Sequence, residues 1–148
     1  MIRFVTAVTV IGALGCQPSI TYAQQPSTVG DILDRGGKRL TKDEVQRLYS
    51  GSTVSGTQGG DNPDTTFKNT YSANGSVNGD AWRKGTWFTK ISGTWSTNDS
   101  GQFCSDLTNS QGGKITGCSY YFLLAGRYYS ARTVDRSAPV NKRQFSRQ

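Results

Sequence analysis

The spacing of apolar residues divides the chain into a short part with helical periodicity and a longer part with the period of β-strands. Between residues 28 and 50, apolar side chains recur every three or four positions, as on one face of a helix. From Ser52 onward, short alternating segments are separated by Gly, Asn, Asp and Ser, which is typical of strands joined by turns. The pattern predicts one or two short helices followed by a mainly β domain.

Two helix starts are indicated by capping residues. Thr28 can cap a first helix that ends at Gly36-Gly37. Thr41 and Glu44 form a capping box, in which each side chain accepts a hydrogen bond from the other residue's backbone N–H, and Gly51 can end this second helix. The apolar faces of the two segments comprise Val29, Ile32 and Leu33 in the first and Val45, Leu48 and Tyr49 in the second.

The remainder predicts an antiparallel β-fold. Asn74-Gly75 is the dipeptide that two-residue β-hairpins favour. Consecutive strands with short turns favour a small antiparallel β-barrel, of which a lipocalin-like shape is one form, or a curved meander sheet. The clearest of seven or eight strand candidates are residues 65–71, 86–91, 93–97, 101–107, 115–125 and 127–134.

A Gly-Thr-Trp triplet occurs twice, at Gly85–Trp87 and at Gly93–Trp95. We interpret each copy as the start of a separate strand that buries its Trp, rather than as a functional aromatic pair. Alternation across residues 86–91 places Trp87 on the same face as Thr89.

Residues 1–23 have the pattern of a bacterial signal peptide. Arg3 precedes a twelve-residue apolar run from Phe4 to Gly15, which is too short to span a bilayer, and small residues favour cleavage after Ala23. An alternative is a lipobox that ends at Cys16, whose acylation would anchor the protein to a membrane. No other stretch of the sequence is long and apolar enough for a transmembrane span.

Either form of processing leaves Cys104 and Cys118 as the cysteines of the folded part. The residues between them predict a hairpin symmetric about Gln111, which would place the two cysteines opposite each other. In an oxidising compartment such a pair forms a disulfide. Two cysteines in a chain without histidine do not supply a zinc site.

The formal net charge of +7 is concentrated late in the chain, where six basic residues and one acidic residue lie between positions 127 and 148. Residues after Val134 lack apolar periodicity, so we interpret them as a solvated basic tail. The predicted organisation is a signal peptide over residues 1–23, a leader and short helix over 24–35, a β-rich domain over 36–134 and a basic flexible tail over 135–148.

The absence of histidine excludes Ser-His-Asp and Cys-His catalysis. A hydrolase that uses two carboxylates is a remaining alternative, for which Asp106 and Asp80 are the residues to test. No Gly-rich phosphate loop follows a strand, and we expect no cofactor and no metal. The sequence therefore favours a non-enzymatic protein.

Aromatic and basic side chains are the candidates for a binding surface. Aromatic side chains next to basic ones are typical of sites for acidic or sugar-like ligands. Strands with one solvent-exposed face produce the same sequence pattern. The expected partner is a protein, an envelope component or a small amphiphile. Nucleic acid is not expected for an exported protein, and membrane contact would need lipidation or the basic tail. The candidate residues are Trp82, Arg83, Trp87, Trp95, Arg127, Tyr128 and Tyr129.

The order of several short motifs resembles exported proteobacterial proteins of domain of unknown function family 995. The motifs comprise Gly37–Thr41 with Glu44, Leu48, Gly51–Gly56, Tyr71, Gly75, Gly85–Trp87 and the two late cysteines. The resemblance covers roughly residues 36–134 and implies a periplasmic or secreted, β-rich domain without an established activity. From the export signal and the aromatic and basic candidates above, we expect an exported binding module of the bacterial envelope, or alternatively an envelope-anchored lipoprotein with a structural role.

Overall fold

The computed structural model describes residues 24–58 and 64–147. The predicted signal peptide and Cys16 lie outside these residues. Within them the chain forms two helices, α1 (Val29–Asp34) and α2 (Lys42–Tyr49). The strands of the described residues are β1 (Lys38–Arg39), β2 (Ser52–Thr57), β3 (Thr65–Tyr71), β4 (Ser76–Arg83), β5 (Thr86–Thr97), β6 (Phe103–Asn109), β7 (Lys114–Leu124), β8 (Arg127–Ala131) and β9 (Asn141–Arg147).

Strands β2 to β9 form a closed antiparallel barrel. Each strand from β2 to β8 pairs with the next in the chain, and β9 pairs with both β8 and β2. The two-residue strand β1 pairs with β7 beyond the end of β6. This architecture confirms the predicted mainly β fold with a small antiparallel barrel and two short helices. Neither helix of the described residues is long and apolar enough to cross a membrane.

The ring is closed by residues that the sequence had placed in a flexible tail. That prediction is wrong for Asn141–Arg147, because this segment pairs with five residues of β2 and with three of β8. Backbone hydrogen bonds to two neighbours stabilise the segment even though Phe145 is its one large apolar side chain. Phe145 packs against the core, with its ring centroid 5.2 Å from that of Tyr49.

Helix α2 packs into the barrel interior with Val45 and Tyr49, which are both buried. The predicted capping box is present: Thr41 accepts a hydrogen bond from the Glu44 N–H, and Glu44 accepts one from the Thr41 N–H. Glu44 also accepts a hydrogen bond from Lys38 of β1 at 2.6 Å. This hydrogen bond and the capping contact lower the pKa of Glu44 to about 2.

Aromatic rings fill much of the interior around Tyr49. Its ring stacks on Phe103 at 3.9 Å, and its hydroxyl is hydrogen bonded to that of Tyr121. Burial raises the pKa of Tyr49 and raises that of Tyr71 to about 12, so these two hydroxyls are neutral at physiological pH. The other buried members of this core are Leu40, Val45, Val54, Val77, Ala81, Ile91, Trp95 and Leu107.

The first Gly-Thr-Trp triplet stands at the start of β5, as predicted, but the second does not begin a new strand, because β5 continues from Thr86 to Thr97. Trp95 is buried, as expected, but Trp87 is 53% exposed. The register between β4 and β5 shifts after the pair Ala81–Thr89, so that Trp82 lies opposite Trp87 and Phe88 is skipped. This bulge turns Trp87 to the outer face, away from the side that simple alternation predicts.

Cys104 and Cys118 form the predicted disulfide on the outer face of β6 and β7. The two residues are register partners in the hairpin, and their Cα atoms are 4.0 Å apart. A disulfide is compatible with an oxidising compartment. The bond links two strands that the hairpin already pairs.

A second hydrophobic cluster lies outside the barrel, where α1 covers β7 and β8. Phe122, Tyr129 and Ala131 point outward and pack against Val29 and Ile32 of the helix. The segment that precedes β9 extends this cover, since the Val29 N–H donates to the Ala138 carbonyl at 3.0 Å. We call this part of the wall the covered sector.

Candidate functional site

Two adjoining depressions lie on the outer face of the barrel around β9, β2 and β3, with volumes of about 610 and 450 Å³. Four residues line both of them: Ser55, Lys68, Lys142 and Gln144. The first depression extends to Arg127 at the start of β8, and the second extends to Trp82 on β4. We call the combined feature the outer groove.

Strand register brings these side chains together. Val54 of β2 is in the core, so its neighbour Ser55 points outward. Ser55 pairs with Lys68 of β3 on one side and with Gln144 of β9 on the other. A row of polar side chains therefore crosses the strands. It continues from Lys68 to its register partner Asp80 on β4.

A second row runs parallel to the first and ends in aromatic side chains. Thr57 pairs with Thr66, Thr66 pairs with Trp82, and Trp82 pairs with Trp87. Trp82 is half-buried and lines the groove, whereas Trp87 is exposed beside it. The Trp87 indole N–H donates to the Asp80 carboxylate at 3.0 Å, which joins the two rows at this end of the groove.

The groove is positively charged. Lys68, Lys142 and Arg127 line it, and no ion pair of the described residues includes any of the three. Asp80 lies opposite Lys68 in register, but their charged atoms are not within ion-pair distance. Side chains that line a recess without a protein counter-ion are available to an anionic ligand.

Arg143 has a different role from the other cations at the groove. Its guanidinium carbon lies 5.4 Å from the centroid of the Phe67 ring, and its Nη1 donates to the Thr57 carbonyl at 2.9 Å. These contacts hold the head of the side chain between β2, β3 and β9. Arg143 therefore stabilises the closure of the ring next to the groove.

The structure distributes the predicted binding residues over three environments. Trp82, Arg127 and Tyr128 line the outer groove, and Trp87 lies next to it. Arg83 instead packs over the Phe88 ring, with its guanidinium carbon 4.1 Å from the ring centroid. The last two residues, Trp95 and Tyr129, are only 5% and 3% exposed and belong to the two cores rather than to a surface.

Sequence reasoning missed Ser55, Lys68, Lys142 and Gln144. Each of them is an ordinary polar residue in the outward position of a strand. The alternation of apolar and polar residues identifies outward positions within one strand. Only the pairing register between strands shows which outward positions lie next to each other. The prediction of a loose tail also removed Lys142 and Gln144 from consideration.

The two carboxylates proposed for a hydrolase do not form a pair. Asp80 is opposite Lys90 on β5, whereas Asp106 is opposite Thr94 on the same strand. This offset of four residues separates them by about 13 Å along the strand direction. Paired carboxylates in glycoside hydrolysis are about 5 to 9.5 Å apart. The described residues also contain no group of three or more His, Cys, Asp or Glu side chains that could hold a metal ion.

In comparisons with protein-family models, curated proteins and solved structures, no significant match to this chain was found.

Proposed function

We propose that the protein is an exported, non-enzymatic binding module of the bacterial envelope and that its ligand occupies the outer groove. The observation that carries the proposal is the juxtaposition of Lys68, Lys142 and Arg127 in one recess without protein counter-ions among the described residues. Three cations that line one recess raise its positive potential, and this potential attracts an anionic ligand.

Two observations support a location outside the cytosol. The pattern of residues 1–23 is that of a signal peptide, and the disulfide between Cys104 and Cys118 suits an oxidising compartment. A ligand that belongs to the cell envelope is consistent with the signal-peptide pattern and with the disulfide. The resemblance to exported proteins of domain of unknown function family 995 leads to the same expectation of location.

The binding role is favoured over catalysis by the residues at the groove. Its polar side chains are those of Ser, Thr, Gln, Lys, Arg, Tyr128 and Trp82, and the chain has no histidine that could act as a general base beside them. Such side chains donate and accept hydrogen bonds and attract anions. They hold a ligand without an evident means of transforming it.

Retention of envelope material by the immobilised protein tests this proposal. The double variant Lys68→Gln, Lys142→Gln removes two charges from the groove, and Lys114→Gln removes one exposed charge from β7 as the control. We expect the wild type and the control to retain the same component of a solubilised envelope extract and the double variant to lose it. Equal retention by all three proteins would contradict the proposal.

A further inference from the structure

We infer that the ligand of the outer groove is an acidic polysaccharide, a chain of sugar units of which some carry carboxylates. The inference rests on the proposed function and specifies its ligand. It depends on three properties of the groove and its border: cations that line the groove with the carboxylate of Asp80 next to them, aromatic side chains at one end, and a shape that extends across five strands.

The charges favour a ligand with spaced rather than continuous negative charge. Lys68 and Lys142 can each form a charge-assisted hydrogen bond to a ligand carboxylate. Asp80 extends the same row and is itself an anion, which would repel a chain with a phosphate at every unit. A sugar unit without a carboxylate instead donates its hydroxyls to such an acceptor. Asp80 therefore favours a polysaccharide over a polyphosphate or a nucleic acid.

The aromatic end of the groove suits the flat faces of sugar rings. Trp82 forms part of the wall, and Trp87 is exposed opposite it on the next strand. The hydrogen bond from the Trp87 indole to Asp80 fixes the ring next to the acceptor carboxylate. An apolar surface beside a hydrogen-bond acceptor matches a pyranose, which has an apolar face and a rim of hydroxyls.

The shape indicates a thin chain rather than a membrane surface. The groove spans β8, β9, β2, β3 and β4, and four strand spacings correspond to about 19 Å. Lys142 is half-buried within the recess, where a flat layer of lipid headgroups would reach it poorly. Between the cations and Trp82, neutral groups of Ser55, Thr57 and Thr66 can pair with the hydroxyls of uncharged units.

Titration of the purified protein with an oligogalacturonate tests the inference, with the methyl-esterified oligosaccharide as the neutral control. Binding is followed by calorimetry and by tryptophan fluorescence. We expect the acidic oligosaccharide to bind, its affinity to fall with rising salt, and the esterified form to bind roughly tenfold more weakly because it lacks the charge-assisted hydrogen bonds. Equal binding of the two oligosaccharides, or binding of neither, would overturn the inference.

Variants show whether the outer groove is the site. We expect Lys68→Gln with Lys142→Gln to weaken the binding of the acidic oligosaccharide roughly tenfold or more, and Lys114→Gln to leave it unchanged. Trp82→Thr should weaken the binding of both oligosaccharides and remove part of the tryptophan fluorescence change that accompanies binding. Circular dichroism confirms that each variant retains its strands. Undiminished binding by folded double and Trp82 variants would overturn the assignment to this groove.

Competing ligands separate this inference from the proposed function. Inorganic polyphosphate, a single-stranded DNA oligonucleotide and phosphatidylglycerol vesicles are titrated in parallel. If one of them binds through Lys68 and Lys142 and the oligogalacturonate does not, the polysaccharide assignment fails while the groove remains a binding site. If none binds and the envelope extract also yields no groove-dependent component, both the inference and the proposed function fail.

Discussion

The covered sector and the outer groove belong to the same barrel wall but expose opposite kinds of side chain. In the covered sector, Phe122 and Tyr129 point outward into the cluster formed with α1. In the outer groove, the outward positions of β9, β2 and β3 carry Gln144, Ser55 and Lys68. Side chains alternate between the inner and the outer face of the wall in both regions. The chain thus stabilises one part of its outer wall by apolar burial and leaves another part hydrated and charged.

This difference indicates where the molecule can accept substitutions and where it can accept a ligand. Burial of apolar side chains is the main favourable contribution to folding, so the covered sector should contribute strongly to stability. The groove side chains contact water and should contribute little to stability. A recessed polar surface whose side chains are expected to contribute little to folding is suited to binding.

Replacing Phe122 with Ala should have the largest effect on stability. The side chain is 1% exposed and is enclosed by α1, so its loss leaves a cavity in the second cluster. We expect the free energy of unfolding to fall by about 3–5 kcal/mol. Urea unfolding followed by circular dichroism measures this change.

Gln144→Ala in the outer groove is the matched control for the Phe122 variant, since both residues point outward from the barrel. The free energy of unfolding should change by less than about 0.5 kcal/mol. If the two substitutions had similar effects, the contrast between the covered sector and the groove would be refuted.

Removing the disulfide should have the next largest effect. Cys104 and Cys118 lie on an outer surface of β6 and β7 that is more exposed than the cluster around Phe122, so a covalent bond stabilises this part of the wall. The double variant Cys104→Ser, Cys118→Ser should lose about 3 kcal/mol, because the unfolded chain regains the entropy of an open loop. The free energies of unfolding of the two proteins, measured in urea under oxidising conditions, test this value. A loss near zero would show that hairpin pairing alone fixes the two strands.

Acid should weaken the covered sector by a smaller amount. Hydrogen bonds from Ser27 and from the Thr28 N–H lower the pKa of Asp31, at the start of α1, from 3.8 to about 2. A lowered pKa means that the folded state holds the ionised form. The stabilisation is therefore complete above pH 3.8 and is lost as the pH falls toward 2.

The variant Asp31→Asn should show a weaker dependence of stability on pH in this range, as measured by urea unfolding midpoints. Some dependence will remain, because the pKa of Glu44 on α2 is also lowered to about 2. Glu44→Gln serves as the comparison. An unchanged pH dependence in the Asp31 variant would exclude the α1 cap as a source of acid sensitivity.

Local signals were sufficient to predict the helices, one hairpin turn and the disulfide. The Thr41–Glu44 capping box acts over a few residues, so its geometry does not depend on the rest of the fold. Asn74-Gly75 marked the place of the turn between β3 and β4, although the connection is longer than the two residues that this dipeptide favours. The symmetric spacing around Gln111 likewise placed Cys104 opposite Cys118. The antiparallel β-fold followed from the number of strand segments and their short turns, whereas the strand β9 that closes the barrel was not predicted.

The features that sequence reasoning missed depend on contacts between distant segments. β9 has too little apolar periodicity to be recognised alone, and its pairing with β2 stabilises it. The outward position of Trp87 results from a register shift that no pattern of residues 86–91 reveals. The outer groove combines residues of strands that lie far apart in the sequence, so it exists only once the register is known.

The position of β9 links ligand binding to the integrity of the fold. This strand is the last of the described strands in chain order, and it pairs with β2, where Arg147 meets Ser52. The ring therefore closes only when these distant segments pair, and contacts between segments far apart in the sequence slow folding. Because β9 also supplies Lys142 and Gln144, an unclosed molecule has no groove. Any molecule that binds across β9 and β2 will favour the closed ring by mass action and will protect the chain from proteases that cut opened forms.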